Sequence, residues 1–477
     1  MFVKKASNHF LCCLPPMTYH SPLTTYMKLS CILFLMLVLG AFTACRKEVN
    51  KAAVANPELM HTSVRKLTDV IIHDIFSPPV ASRIYAYASI AAYEALVPAY
   101  ASHQSLAGQL KGLAGLPRPI AGQEYCFPLA SVHAFLRVGR SLTFSGDLVD
   151  AFEPRIYQQY KDMGITREVF DRSLQYGAAV ADAVLKWSGE DGYKGTRGMR
   201  YTVLADPGKW KPTPPAYMDA VEPYWFRIRP FVLDSCSQFK PEAPSAFSLE
   251  KDSPFYRQVL EVYEVSKNLT PEQQAIASFW DCNPFVMHQT GHVMYATKKI
   301  SPGGHWVNIT AVAAKKAGAN LMQTVEAYTL VSLSLADGFI SCWDEKYRSG
   351  VVRPETVINA SLDKDWQPLL QTPPFPEYPS GHSVVSTAAA VVLTALYGDD
   401  FAFTDSTEVQ FGLPSRQFSS FHAAAREAAI SRLYGGIHYM PAIKNGEEEG
   451  RLVGELVVSR IKTRPDPKPR RNVALAE

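Results

Sequence analysis

Apolar residues recur at three- and four-residue steps along almost the whole chain, and strict alternation is scarce. That pattern admits helices and little else. "PELMHTSVRKLTDVIIHDIF", from Pro57, shows the step, and "VASRIYAYASIAAYEALVPAY", from Val80, adds alanines that allow close packing. The same period continues through "REVFDRSLQYGAAVADAVLKWSG" and stops near Gly189. From there to Pro223 the chain is rich in Gly, Pro, Lys and Tyr and reads as a loop. It divides two helical halves, although a loop of that length in a compact domain is often functional. Beyond it Thr270 caps a helix that Pro271 opens, and residues 308–347 form one or two long helices. The expected fold is all-α. Two helical bundles pack together, an N-terminal half over 46–225 and a C-terminal bundle over 226–465, followed by a disordered basic tail at 466–477.

Charge narrows the function. Of 48 basic residues, three lysines (Lys4, Lys5, Lys28) lie in residues 1–45, which hold no acid. The remainder balances at 45 basic against 45 acidic residues, which argues against general nucleic-acid binding. "MKLSCILFLMLVLGAFTAC", Met27 to Cys45, has a basic start, a short apolar core and small residues before a cysteine. It reads as a secretory signal starting at Met27, too short for a comfortable membrane span. Its "FTAC" end resembles a bacterial lipobox, so Cys45 is expected to be lipidated and the protein exported, to the periplasm, outer membrane or cell surface. An uncleaved membrane anchor is the alternative. Cys126, Cys236, Cys282 and Cys342 are widely spaced, which argues against a thiol metal cluster; export permits one or two disulfides, whose pairing the sequence leaves open.

Three segments concentrate chemistry. "KYRSGVVRP" carries Lys346 and Arg353, "YPSGHS" carries Ser380, Gly381 and His382, and "SRLYGGIH" carries Ser431, Arg432 and His438. Prolines precede Ser380 and an apolar helical run follows, so Ser380–His382 sit at a helix N-terminus, where unpaired N–H groups and the dipole favour an anion. A lysine and two arginines supply fixed charge, and guanidinium grips tetrahedral oxyanions bidentately. Two histidines supply a nucleophile or ligand and a general acid/base. Alone, each has a bland reading: a surface lysine, salt-bridged arginines, a serine cap, a structural histidine. Together and in order they describe a site for phosphate or a phosphate-like oxyanion.

The set K-x6-R-P, P-S-G-H and S-R-x3-G-x-H resembles the type-2 phosphatidic acid phosphatase superfamily, which includes the vanadium-dependent haloperoxidases. "IIHDIFSPPVASRIYAYASIAAYEAL", "FWDCNP…PGGHW", "CWDEK" and "PPFPEYPSGHS" are similar to bacterial haloperoxidase-type members. The resemblance implies vanadate as cofactor, held by Lys346, Arg353, Ser380, Gly381 and Arg432. It implies that His438 bonds the vanadium, that His382 is the acid/base, and that Trp343 and Phe375 line the pocket. Hydrogen peroxide and halide are then the partners and hypohalous acid the product. The alternative within the superfamily is an acid phosphatase, with His438 as nucleophile and His382 protonating the leaving group. A third reading is an oxyanion-binding lipoprotein without turnover. Halide preference and oligomeric state stay open.

One position departs from the pattern. An Asp often stands four residues after the second histidine to orient it; here it is Ala442. A ligating histidine needs a partner for its other N–H, and a backbone carbonyl is the expected substitute. His288 and His292 in "HQTGH" offer a possible metal pair on a helix, but Gln289 replaces the expected Glu and Gly291 weakens a helix, so a pocket-wall role is preferred.

Overall fold

Helices begin where the sequence supplies a side-chain acceptor or a proline. The computed structural model describes residues 49–284, 286–290 and 292–465. The signal-like segment with Cys45 and the basic tail at 466–477 lie outside the described residues. The principal helices are α1 Glu58–His73, α2 Pro78–Leu96, α3 Phe127–Leu142, α4 Glu153–Asp162, α5 Arg167–Ser188, α6 Pro254–Lys267 and α7 Pro271–Phe279. They continue with α8 Pro302–Lys316, α9 Leu321–Ser349, α10 Pro354–Ser361, α11 Gly381–Tyr397, α12 Phe421–Tyr434 and α13 Met440–Arg460. Thr270 and Asn320 build capping boxes with Gln273 and Gln323. The long apolar segment thus resolves into two helices, parted at Ala317–Asn320. Gly350, with φ of 60°, ends α9 in the left-handed conformation that glycine adopts without strain.

Every residue of α2 is buried, and so is most of α9; their apolar character all round marks them as central. The first bundle packs α2 on α3 and α5; the second packs α9, α12 and α13 around α11, and α2 against α9 joins the two. The expected division near residue 225 lies inside a single compact unit that starts at Asn50. The α11–α13 contact is unusually close. A Cβ at Gly450 would collide with the Val384 carbonyl, and one at Gly454 would lie 2.7 Å from Val391 Cβ. At the start of α11, Ser380 N–H donates to the Ala442 carbonyl at 2.9 Å. This registers the anion-binding end of α11 on α13.

Two small antiparallel pairs complete the described structure: β1 Val286–Thr290 with β2 Val293–Thr297, and β3 Phe403–Asp405 with β4 Arg416–Phe418. His288 therefore stands on a strand paired with Tyr295 and not on a helix. The 189–223 stretch is not a spacer. Its Val221 N–H donates to Pro374, and its Val221 carbonyl accepts from Trp343 Nε1 (3.2 Å) and Tyr347 (2.6 Å). Cys126, Cys236, Cys282 and Cys342 are free thiols. Among the described residues no helix is long and apolar enough to cross a membrane.

Candidate active site

The three motifs meet at the N-terminal end of α11. Ser380 is its N-cap, its Oγ accepting from Ser383 N–H at 3.3 Å, so the capping role does hold. Gly381 and His382 open the helix, where N–H groups have no intrahelical acceptor. A narrow cavity here is lined by Gly381, His382, Arg432 and His438, with Trp343 and Phe375 forming an apolar wall whose rings lie 5.0 Å apart. Lys346, Arg353 and Ser380 stand behind this lining. A larger outer cavity of about 550 Å³ is walled partly by His288 of β1, the pocket-wall role preferred for that residue, and it shares Gln371 with the inner one.

His438 is the most constrained side chain. Its Nδ1 donates to Glu377 Oε1 at 2.9 Å, and the same oxygen accepts from Tyr439 N–H at 2.9 Å. The expected backbone carbonyl is therefore replaced by a carboxylate that comes from the 373–380 loop and not from the segment after His438. Its Nε2 faces Arg353 Nη1 at 3.1 Å. Burial and the nearby Arg353 and Lys346 charges hold His438 well below the imidazole range, so it is neutral, with Nδ1 protonated and Nε2 basic. Burial pushes Glu377 up to about 7 against the pull of Arg353 and the Tyr439 N–H.

The cations are buried and largely occupied. Lys346 gives all three N–H donors to the Pro376, Glu377 and Pro379 carbonyls, bracing the loop that carries Glu377. Arg353, the N-cap of α10, donates to the Phe375 and Ile437 carbonyls; its Nη2 is buried with no partner among the described residues. Arg432 donates to Ser431 Oγ and to the Trp280 carbonyl at 2.7 Å. Burial pushes Lys346 down to about 8 and Arg353 to about 10, and lowers Arg432 as well. Burial and Arg432 together hold His382 well below the imidazole range, and its buried Nε2 has no partner among the described residues.

Sequence reasoning missed two carboxylates. Asp281, in "FWDCNP", lines the cavity, offsets the Arg432 charge and pairs with Lys299 at 2.6 Å. Glu377 sits inside "PPFPEYPSGHS", three residues before Ser380. In each case the available signal was an acid in an otherwise apolar, proline-bearing run that folding had to bury.

A bacterial vanadium-dependent iodoperoxidase of known structure is 49% identical to this chain, with TM-score 0.81, over 86% of this chain and 98% of that one. The chain belongs to the vanadium-dependent haloperoxidases. The family model for the VCPO second helical-bundle domain matches residues 326–466, which contain all three motifs. A holo-type bacterial vanadium-dependent chloroperoxidase shares the fold at 18% identity and TM-score 0.62, over 81% of this chain and 93% of that one. A search of curated proteins found no match. As a haloperoxidase the protein oxidises halide with hydrogen peroxide, and its cofactor is vanadate. The residues fit that group: buried cations, an Arg353 Nη2 and a His382 Nε2 without partners among the described residues, and a helix N-terminus lie in or just behind the lining of one small cavity.

Proposed function

We propose that this haloperoxidase holds vanadate with His438 Nε2 as the vanadium ligand, Arg353, Arg432 and the Ser380–Gly381 turn as donors, and His382 as proton carrier. The observation that carries the reading is the His438–Glu377 pair: with Nδ1 engaged by a buried carboxylate, Nε2, which accepts from Arg353 Nη1 at 3.1 Å, is the nitrogen that can exchange that donor for a metal. Lys346 contributes charge and loop geometry. Bound vanadate supplies a Lewis-acid centre at which hydrogen peroxide is activated toward halide. His382, neutral at rest, accepts a proton from entering peroxide at Nε2 and returns it to the departing oxygen. Trp343 and Phe375 keep that side of the cavity dry. Iodide is the proposed halide, because the relative at 49% identity is named an iodoperoxidase. Export and lipidation at Cys45 complete the proposal, on the strength of the signal-like segment ending in "FTAC".

The test is oxidation of iodide, bromide and chloride by hydrogen peroxide, with and without added orthovanadate, beside hydrolysis of a generic phosphomonoester. Vanadate-dependent turnover, fastest with iodide, is expected. Turnover indifferent to vanadate in stripped enzyme, or phosphomonoester hydrolysis as the faster activity, would overturn the assignment of roles. Mass spectrometry of the exported protein tests Cys45: an unmodified Cys45 or a retained leader refutes the anchor.

A further inference from the structure

Behind Trp280 lies a second buried cluster that the haloperoxidase reaction does not use. His305, on α8, is fully buried, and Trp280 stacks flat on its ring at 4.6 Å and 23°. Asp405, at the end of β3, holds Nε2 at 2.7 Å. On the opposite side, Cys282 Sγ lies 3.3 Å from Nδ1 and Glu408 Oε1 lies 3.1 Å from the same nitrogen. Sγ and Oε1 are 3.9 Å apart. Four separate pieces of chain contribute: the segment after α7, α8, β3 and the short 3₁₀ turn Thr407–Phe411.

A thiol and a carboxylate compete here for one ring nitrogen, which can carry a single proton. The hydrogen bond runs between Nδ1 and Sγ. Among the described residues, Glu408 is left with the ion pair to Nδ1 and one long contact from the same thiol as its side-chain interactions. Glu408 is only 2% exposed, and a carboxylate so buried and so poorly bonded is costly.

We propose that Cys282, His305 and Glu408 form a zinc site, with Asp405 orienting His305 from behind. A tetrahedral zinc has bonds of about 2.3 Å to sulfur and about 2.0–2.2 Å to nitrogen and oxygen, so its ligand atoms stand about 3.3–3.6 Å apart. The edges here are 3.1, 3.3 and 3.9 Å. The thiolate selects zinc over magnesium or calcium, which take oxygen ligands. Asp405 against His305 Nε2–H is the carboxylate–imidazole–metal arrangement that fixes a ligand's tautomer. The chemistry balances. The S–H and Nδ1–H bonds break, two protons leave to solvent, and Zn–S and Zn–N bonds form. One divalent ion replaces two protons, so the buried cluster changes no net charge. Cys282 also lines the anion cavity, which gives a water ligand an approach to the fourth position.

The experiment is metal analysis of the purified full chain by inductively coupled plasma mass spectrometry, with zinc as the added probe and thermal melting alongside. One zinc per chain is expected after removal of loosely bound metal, and zinc added to chelator-stripped protein should raise the melting temperature. Cys282→Ser and Glu408→Gln should each cut zinc content at least about tenfold, while Cys236→Ser, at a thiol outside the cluster, should leave it unchanged. Two results refute the site. One is a cooperatively melting wild-type chain that carries no zinc and takes up none. It would show an imidazolium paired by two carboxylates instead. The other is full zinc retention by Cys282→Ser. Both readouts are independent of vanadate and of turnover.

Discussion

Glu377→Gln should make the protein more stable and a poorer haloperoxidase. Burial raises the Glu377 carboxyl from 4.5 to about 7, so the folded state holds its proton more tightly than the unfolded state does. The sign follows from linkage. The favourable contribution is complete below the unfolded value and is lost as pH rises through about 7, so at pH 8 the ionised carboxylate costs on the order of 3 kcal/mol relative to acid. Glutamine carries no charge and escapes that cost. Its Oε1 can still accept from His438 Nδ1–H and Tyr439 N–H, both of which now reach Glu377 at 2.9 Å. Losing the carboxylate behind a ligating histidine costs about 10–100-fold in affinity or activity, or about 1.4–2.7 kcal/mol. Removing a negative charge beside an anion site acts the other way. Near neutral pH, however, Glu377 is already half protonated, so the orientation effect should win. The assays are thermal melting of the stripped protein at pH 5 and pH 8, vanadate titration and iodide oxidation. Glu377→Gln should gain stability at pH 8 relative to pH 5 and bind vanadate more weakly. Wild-type affinity together with a pH-independent stability difference would refute both the orienting role and the buried charge.

His382→Ala should bind vanadate within about tenfold of wild type yet lose turnover by on the order of 10²–10⁴, whereas His438→Ala should lose tight vanadate binding; the reverse pattern in titration and halide oxidation would swap the two roles. Arg353→Ala and Arg432→Ala should each weaken vanadate binding by about 2–5 kcal/mol, read by titration, because each removes one partner of a buried charge pair. Lys346, pushed down to about 8 by burial, is charged below that pH and neutral above it, so oxyanion affinity should fall by up to about tenfold per pH unit above 8, and Lys346→Met should flatten that slope in vanadate titrations. Gly450→Ala should lower stability by about 1–3 kcal/mol or more in denaturant unfolding, since its Cβ has no room against the Val384 carbonyl.

The helices and the position of Ser380–His382 at a helix N-terminus were legible because their signals are local. Period, caps and prolines lie within one turn of what they specify, as at Thr270–Pro271 and at Ser380. Partnerships across the fold were not legible. Ala442 read as a missing orienter, yet its carbonyl holds Ser380 N–H and its small side chain is buried between packed elements, while the orienting carboxylate arrives from Glu377, 61 residues before His438. No spacing rule connects those two residues; only the packing of α13 on α11 does. The 189–223 stretch read as a loop, but its packing partners were hidden for the same reason. Gly and Pro signal irregular backbone, but not that Val221 accepts hydrogen bonds from Trp343 and Tyr347 of the central helix.

Gly381, His382, Arg432 and His438 line the cavity, Ser380 caps the helix that opens onto it, and Lys346 and Arg353 lie behind the lining, where they act by charge. Lys346, Arg353 and Arg432 are all fully buried. Their nearby acids are Asp281, shared with Lys299, and Glu377 and Glu449, both of which burial drives toward the neutral form. Positive charge is thus in excess where water cannot screen it, and burial lowers the pKa of each cation, with the Arg353 charge adding to the effect at Lys346. A bound oxyanion offsets the excess without any cation moving. Lys346, with every N–H committed to a carbonyl, can stabilise the anion through space while it holds the Glu377 loop in place. The consequence is thermodynamic: because the folded state alone has this excess, an oxyanion at about a hundred times its dissociation constant should stabilise the fold by about 2.7 kcal/mol. Anion binding and folding therefore draw on the same buried charges.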